Sequence, residues 1–135
     1  MPLLPEIAAY LVSQGLGTLG TTLFLSRMAD AQVPAFITAL FEMPGTLGER
    51  VMESSGMLLE RPGLEVIVRG GPGEYAAAAA HAHAVWVALT AVANMTLSGT
   101  HYVAIDSTAS PQDIGPDDHN RPMISLTFIV TKEPS

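Results

Sequence analysis

Tyr75-Ala-Ala-Ala-Ala-Ala-His-Ala-His-Ala-Val-Trp-Val-Ala-Leu-Thr-Ala-Val-Ala93 is the stretch on which the fold turns. Alanine has the highest intrinsic helix propensity, and no glycine or proline interrupts the run, so it reads as a helix from about Glu74 to Ala93. Its anomaly is charge. From Tyr75 to Ile105 the chain runs thirty-one residues without Asp, Glu, Lys or Arg, whereas a helix at the surface of a small soluble protein carries charge on its outer side. Such a helix is either packed on two sides within one chain or covered on one side by another copy. At about 100° per residue, Tyr75, Ala78, Ala82, Val85, Trp86, Leu89, Val92 and Ala93 share the face expected on a sheet. Ala77, Ala80, Ala84, Ala88 and Ala91 collect on the other, with Val87 at its edge. An alanine strip is an economical helix back, and it is also a flat surface that a second helix can approach closely. The second reading is preferred here, which makes Ala80, Ala84, Ala88 and Ala91 candidate subunit contacts. A membrane span is not expected, because the stretch is only weakly apolar and two histidines interrupt it.

Working outward, Pro5 to Gln14 reads as a short helix, with Pro and Glu6 in its first turn and Gly15 as its stop. Leu23 to Met28 and Phe36 to Phe41 read as strands, the latter apolar on both faces and therefore central. In Leu64 to Arg69, Leu64, Val66 and Val68 alternate with Glu65 and Arg69, an inward and an outward set. Met95 to Ile105 is a hairpin turning at Ser98-Gly99. Ile124, Leu126, Phe128 and Val130 alternate with Ser125, Thr127 and Thr131 in a closing strand. The order α-β-β-β-α-β-β-β lacks βαβ alternation, so the expected fold is a single α+β domain over residues 1–135. It has a mixed or antiparallel sheet with two helices on one face. Residues 42–61 and 108–121 are read as long loops, which in compact domains are commonly functional. The first carries Met52, Met57, Leu58 and Leu59, an apolar load that marks it as a contact arm.

Composition narrows the function classes. Only 14% of residues are charged while 48% are hydrophobic, against a usual charged share of about 25%. This too favours association. The net charge of −7, with six scattered Lys and Arg, argues against a protein that grips nucleic acid through phosphates. Absence of cysteine removes disulfides, thiolate metal sites and a cysteine nucleophile. The first residues, Met-Pro-Leu-Leu-Pro-Glu6, lack the basic and apolar regions of a signal peptide.

Motifs that carry chemistry fail their context tests. Gly15-Leu-Gly17-Thr-Leu-Gly20 matches the dinucleotide fingerprint by letter, but a helix precedes it and a strand follows, the reverse of what pyrophosphate binding needs. His81 and His83, two apart on a helix, diverge by about 160° and cannot share a metal; His81 is expected to point away from the sheet and His83 to sit near its border. Asp113, Asp117, Asp118 and His119 lack the alternating spacing of a calcium loop, so the acidic stretch from Asp106 reads as a solvated loop. No catalytic, cofactor or metal set is predicted.

The segments Ser13-Gln-Gly-Leu-Gly-Thr-Leu-Gly-Thr-Thr-Leu-Phe24, Arg61-Pro-Gly-Leu-Glu-Val-Ile-Val-Arg69, Thr96-Leu-Ser-Gly-Thr-His-Tyr102, Ser110-Pro111, Ile114-Gly115 with Asp117, Arg121, and Ser125-Leu-Thr-Phe-Ile-Val130 occur in a telling order. Together they resemble the minor capsid or tail-terminator-like proteins of tailed bacteriophages, small α+β subunits related in fold to the lambda tail terminator. The resemblance implies a structural virion protein made in the host cytoplasm. Such a protein forms a homo-oligomeric ring, usually a hexamer, that caps the tail tube and joins it to a neck or head-completion protein. DNA passes through without tight binding, and the family brings no catalytic residues. The competing expectation is a small oligomeric enzyme or ligand-binding protein with a pocket between sheet and helix.

Overall fold

The computed structural model of the protein describes residues 3–20, 22–26, 36–50, 58–117 and 120–133. Helix α1 (Leu3–Ser13) is followed by β1 (Leu23–Leu25), β2 (Phe36–Arg50) and β3 (Leu58–Gly70); α2 (Tyr75–Thr90) then leads into β4 (Ala93–Leu97), β5 (Thr100–Ser107), β6 (Gln112–Pro116) and β7 (Pro122–Lys132). The strands form one seven-stranded sheet in the order β1-β2-β3-β7-β5-β4, with β6 beside β7. β1 runs parallel to β2 and the other pairings are antiparallel. The fold is thus α+β with a mixed, curled sheet, as the order of elements predicted.

Register explains where the core sits. Thr38, Leu40, Val66, Val68, Ile124 and Leu126 align across β2, β3 and β7, and with Leu64, Phe128 and Val130 they are all but fully buried. The two helices close over this one face: Ile7 and Leu11 of α1 and Ala78, Ala82, Val85 and Leu89 of α2 join the same apolar cluster. Gly15 ends α1 at a φ of 75°, a conformation that glycine adopts without steric cost. The amides of Gly15 and Leu16 bond the carbonyls of Val12 and Leu11, the pairing of a Schellman cap. The lettered fingerprint at Gly15–Gly20 is therefore a helix stop and turn. The Ser98-Gly99 hairpin forms between β4 and β5 as expected.

Three expectations need correction. The segment 42–61 is not a loop where it is described: β2 continues to Arg50 and β3 begins at Leu58, paired through Thr46↔Arg61, Glu49↔Leu59 and Arg50↔Leu58. Pro44, Gly45 and Pro62 sit where the β2–β3 register shifts, and bulges are where a ladder tolerates a residue without an N–H. The 108–121 segment likewise contains a strand, β6, paired with the first part of β7. Finally, Arg69 lies on the sheet face opposite Val68, yet is only 4% exposed, so the outward set of β3 is not a solvent face at that end.

Candidate functional site

The alanine back of α2 meets both fates that its sequence allowed. α1 covers part of it: the Tyr10 hydroxyl donates to the Ala88 carbonyl at 2.8 Å, and Tyr10, Leu16 and Ala88 pack against the core. Ala84 and Ala88 are half-buried as a result, while Ala80 and Ala91 are exposed and Val87 keeps 48% of its surface. Between them lies an open apolar groove of about 440 Å³, lined by Tyr10, Gln14, Leu16, Ala84, Val87 and Ala91 among others. On the sheet side, Ala78, Ala82, Val85, Leu89 and Val92 are buried as predicted. Trp86 is half-buried and donates its indole N–H to Ser107 Oγ at 3.0 Å; His83 is exposed and stacks on that indole. Tyr75 and Ala93 remain exposed.

His81 does not point away from the sheet. It is 8% exposed, and its Nε2 lies 2.9 Å from Thr38 Oγ1 on β2. Three residues after Ala78 and four before Val85, it shares their stripe. α2 contacts β2 as well as β3, β5 and β7, so the buried sector of the helix extends to that flank. Burial pushes the imidazole pKa below its usual value.

A second polar cluster was not anticipated. Glu6 is 5% exposed, and its two carboxylate oxygens accept hydrogen bonds from Thr100 at 2.6 Å and Tyr102 at 2.7 Å. Burial raises the Tyr102 phenol pKa, and the hydrogen bond to Glu6 and the charges of Glu6 and Glu60 raise it further. Lys132, paired in register with Tyr102 and Glu60, is almost wholly buried and donates from Nζ to Glu60 Oε1 at 2.8 Å. The sequence did hold a signal for Glu6: it follows Leu3 by three and precedes Tyr10 by four, which puts it on the buried stripe of α1. Of this cluster, Glu6 alone lines a cleft of about 170 Å³ between α1 and β4, together with Tyr10, Ser13, Thr96 and Ser98 among others. That is smaller than the ~300–1,000 Å³ usual for small-molecule sites.

Of the other predicted contact residues, Leu59 lies half-buried on β3, Leu58 begins that strand, and Met52 and Met57 fall outside the described residues. The acidic stretch is more structured than a solvated loop. Asp117 takes the backbone N–H and the Nε–H of Arg121 through its two oxygens, and Arg121 is 5% exposed. Asp118 and His119 lie outside the described residues. Among the described residues no three acidic, histidine or cysteine side chains are grouped to hold a metal, and no helix is long and apolar enough to cross a membrane.

Comparison with known proteins places this arrangement. No curated protein matches the chain. Among solved structures, a chain of the virion of a native gene transfer agent particle shares the fold with a TM-score of 0.60 at 18% identity, over 95% of this chain and 84% of that one. The model of the bacteriophage tail terminator proteins matches residues 10–134, and with every strand of the sheet inside that span, the chain belongs to this family of virion tail proteins.

Proposed function

We propose that the protein closes the phage tail as a head-to-tail ring, a hexamer, seated on the tail tube protein and offering its other side to a neck or head-completion protein. The observation that carries this reading is the family match over residues 10–134. The role is structural rather than catalytic: the space between α2 and the sheet is filled by Val85, Leu89, Leu126 and Phe128. A ring requires two different adhesive patches on each subunit, because one side of a copy meets the other side of the next. The exposed part of the α2 back, around Ala80, Val87 and Ala91, supplies one. The β2–β3 hairpin, with Met52, Met57, Leu58 and Leu59 in its sequence, supplies the other. The low share of basic residues suits a channel through which DNA must slide.

Light scattering and negative-stain imaging of the purified protein, alone and mixed with tails lacking it, test the proposal. Six-fold rings and capped tails are expected. A protein that remains monomeric in assembled virions would overturn the reading.

A further inference from the structure

The cleft between α1 and β4 is lined by one carboxylate, Glu6, and among the described residues by no Lys, Arg or His. Glu6 is 5% exposed, and an acid so far from water is normally given a counter-charge. What it has is two neutral donors. The Thr100 hydroxyl donates to Oε2 and the Tyr102 hydroxyl to Oε1, so both oxygens accept, as in the ionised acid, and each keeps a second lone-pair direction. Glu6 forms no ion pair among the described residues. The ammonium of Lys132, in register with Tyr102, bonds Glu60 instead.

The rest of the lining fits the same kind of ligand. Glu6 is its buried acid, while Ser13, Thr96 and Ser98 are exposed and add oxygens without charge. Ser13 gives its own proton to the Tyr10 carbonyl at 2.6 Å, which leaves its oxygen able to accept. Ala9, Leu97 and Tyr10 contribute carbon surface. An ammonium carries three N–H donors and no acceptor, and its alkyl stem covers apolar surface while the charge meets an acid. About 170 Å³ is too little for most small-molecule ligands, but it suits the end of one side chain. β4 ends the strand order, so its outer edge has no strand neighbour among the described residues. An extended segment can lie along that edge and lower a side chain into the cleft.

We propose that the α1–β4 cleft receives a primary alkylammonium group, a lysine side chain on an extended segment of a partner protein, with Glu6 as its counter-charge. The site goes beyond the ring reading and needs no particular oligomeric state. n-Butylammonium titrated into the isotope-labelled protein should shift the amide resonances of Ala9, Thr96 and Ser98 saturably, with a midpoint on the order of 1–10 mM for so small a ligand. Tetramethylammonium has the charge but no N–H, and at equal ionic strength it should leave them in place. Nα-acetyl-lysine methylamide distinguishes the sources. Binding at least as tight as that of butylammonium is expected, and binding of butylammonium alone overturns lysine in favour of a free amine. Glu6→Gln should weaken binding at least about 10-fold. Ser13→Lys keeps Glu6 and changes an exposed residue at a helix end where a cation is favoured. Its own ammonium should fill the cleft and block butylammonium. If the two ammonium ions shift the same amides alike, or if Glu6→Gln or Ser13→Lys binds butylammonium as the parent does, the assignment is overturned and the ring reading is untouched.

Discussion

At the scale of single residues, the side chains that matter most in the interior are polar. His81 is held neutral against Thr38 by burial. Because its folded pKa is depressed, its contribution to stability is complete above the free imidazole value near 6.5 and is lost as pH falls through that value toward the folded pKa. Urea midpoints measured from pH 7.5 down to 5.5 should therefore decline for the parent, and His81→Gln, which cannot titrate, should flatten the slope. Tyr102→Phe removes one of the two donors to Glu6 and should destabilise by about 1–3 kcal/mol, read by denaturant titration at constant m-value. The sequence showed neither group plainly. For His81 the angular reading drew the buried sector of α2 too narrowly, since a curled sheet touches more of a helix than a flat one does. For Glu6 its place in the first turn offered an adequate explanation by helix dipole alone, which hid its place on the apolar stripe.

At the scale of elements, alternation and propensity made α2, the Ser98-Gly99 hairpin and the strands around Val66 and Leu126 legible. They failed where the backbone departs from regularity. Pro44, Gly45, Gly48 and Pro62 read as loop punctuation, yet the register shifts of β2 against β3 accommodate them inside a hairpin. β6 was hidden in the same way by Gly115, at a φ of 90°, and by Pro116. Ala88 accepts the Tyr10 hydroxyl bond at its carbonyl and is half-buried, so a charge there disturbs the subunit itself. Ala80 and Ala91 are exposed, and Ala80→Glu with Ala91→Glu should change monomer stability by no more than about 0.5 kcal/mol while blocking ring formation. Normal assembly of that double variant would remove the α2 back from the interface. Deleting residues 46–56 shortens the hairpin and leaves β3 its pairing with β7 from Gly63 onward. A folded monomer that no longer assembles is expected, with assembly by gel filtration and folding by circular dichroism as the two readouts. By contrast Leu89→Ala, at a site with no exposed surface, should cost about 2–5 kcal/mol in the monomer.

At the scale of the whole molecule, charge separates a channel from a binder. The chain carries −7, and of its six basic residues Arg69, Arg121 and Lys132 are buried, the last two in ion pairs with Asp117 and Glu60. Among the described residues three cations but one acid, Glu6, are buried, so basic groups add little to the charge that solvent meets there. Six copies at −7 each give −42 for a hexamer before counter-ions. Duplex DNA carries about one negative charge per 1.7 Å of its axis, so a ring of this kind repels it, and the repulsion is strongest where screening is weakest. At an ionic strength of about 0.01 M the Debye length is near 30 Å, against about 8 Å at 0.15 M. Anisotropy of a labelled 20-base-pair duplex should therefore stay at its free value in low salt, where nonspecific binders hold DNA most tightly, and rise no further as salt is added. A protein that bound the duplex at low salt and released it with increasing salt would be releasing counter-ions from a cationic groove. That result would contradict both the surface described here and a role in which DNA slides past without being held.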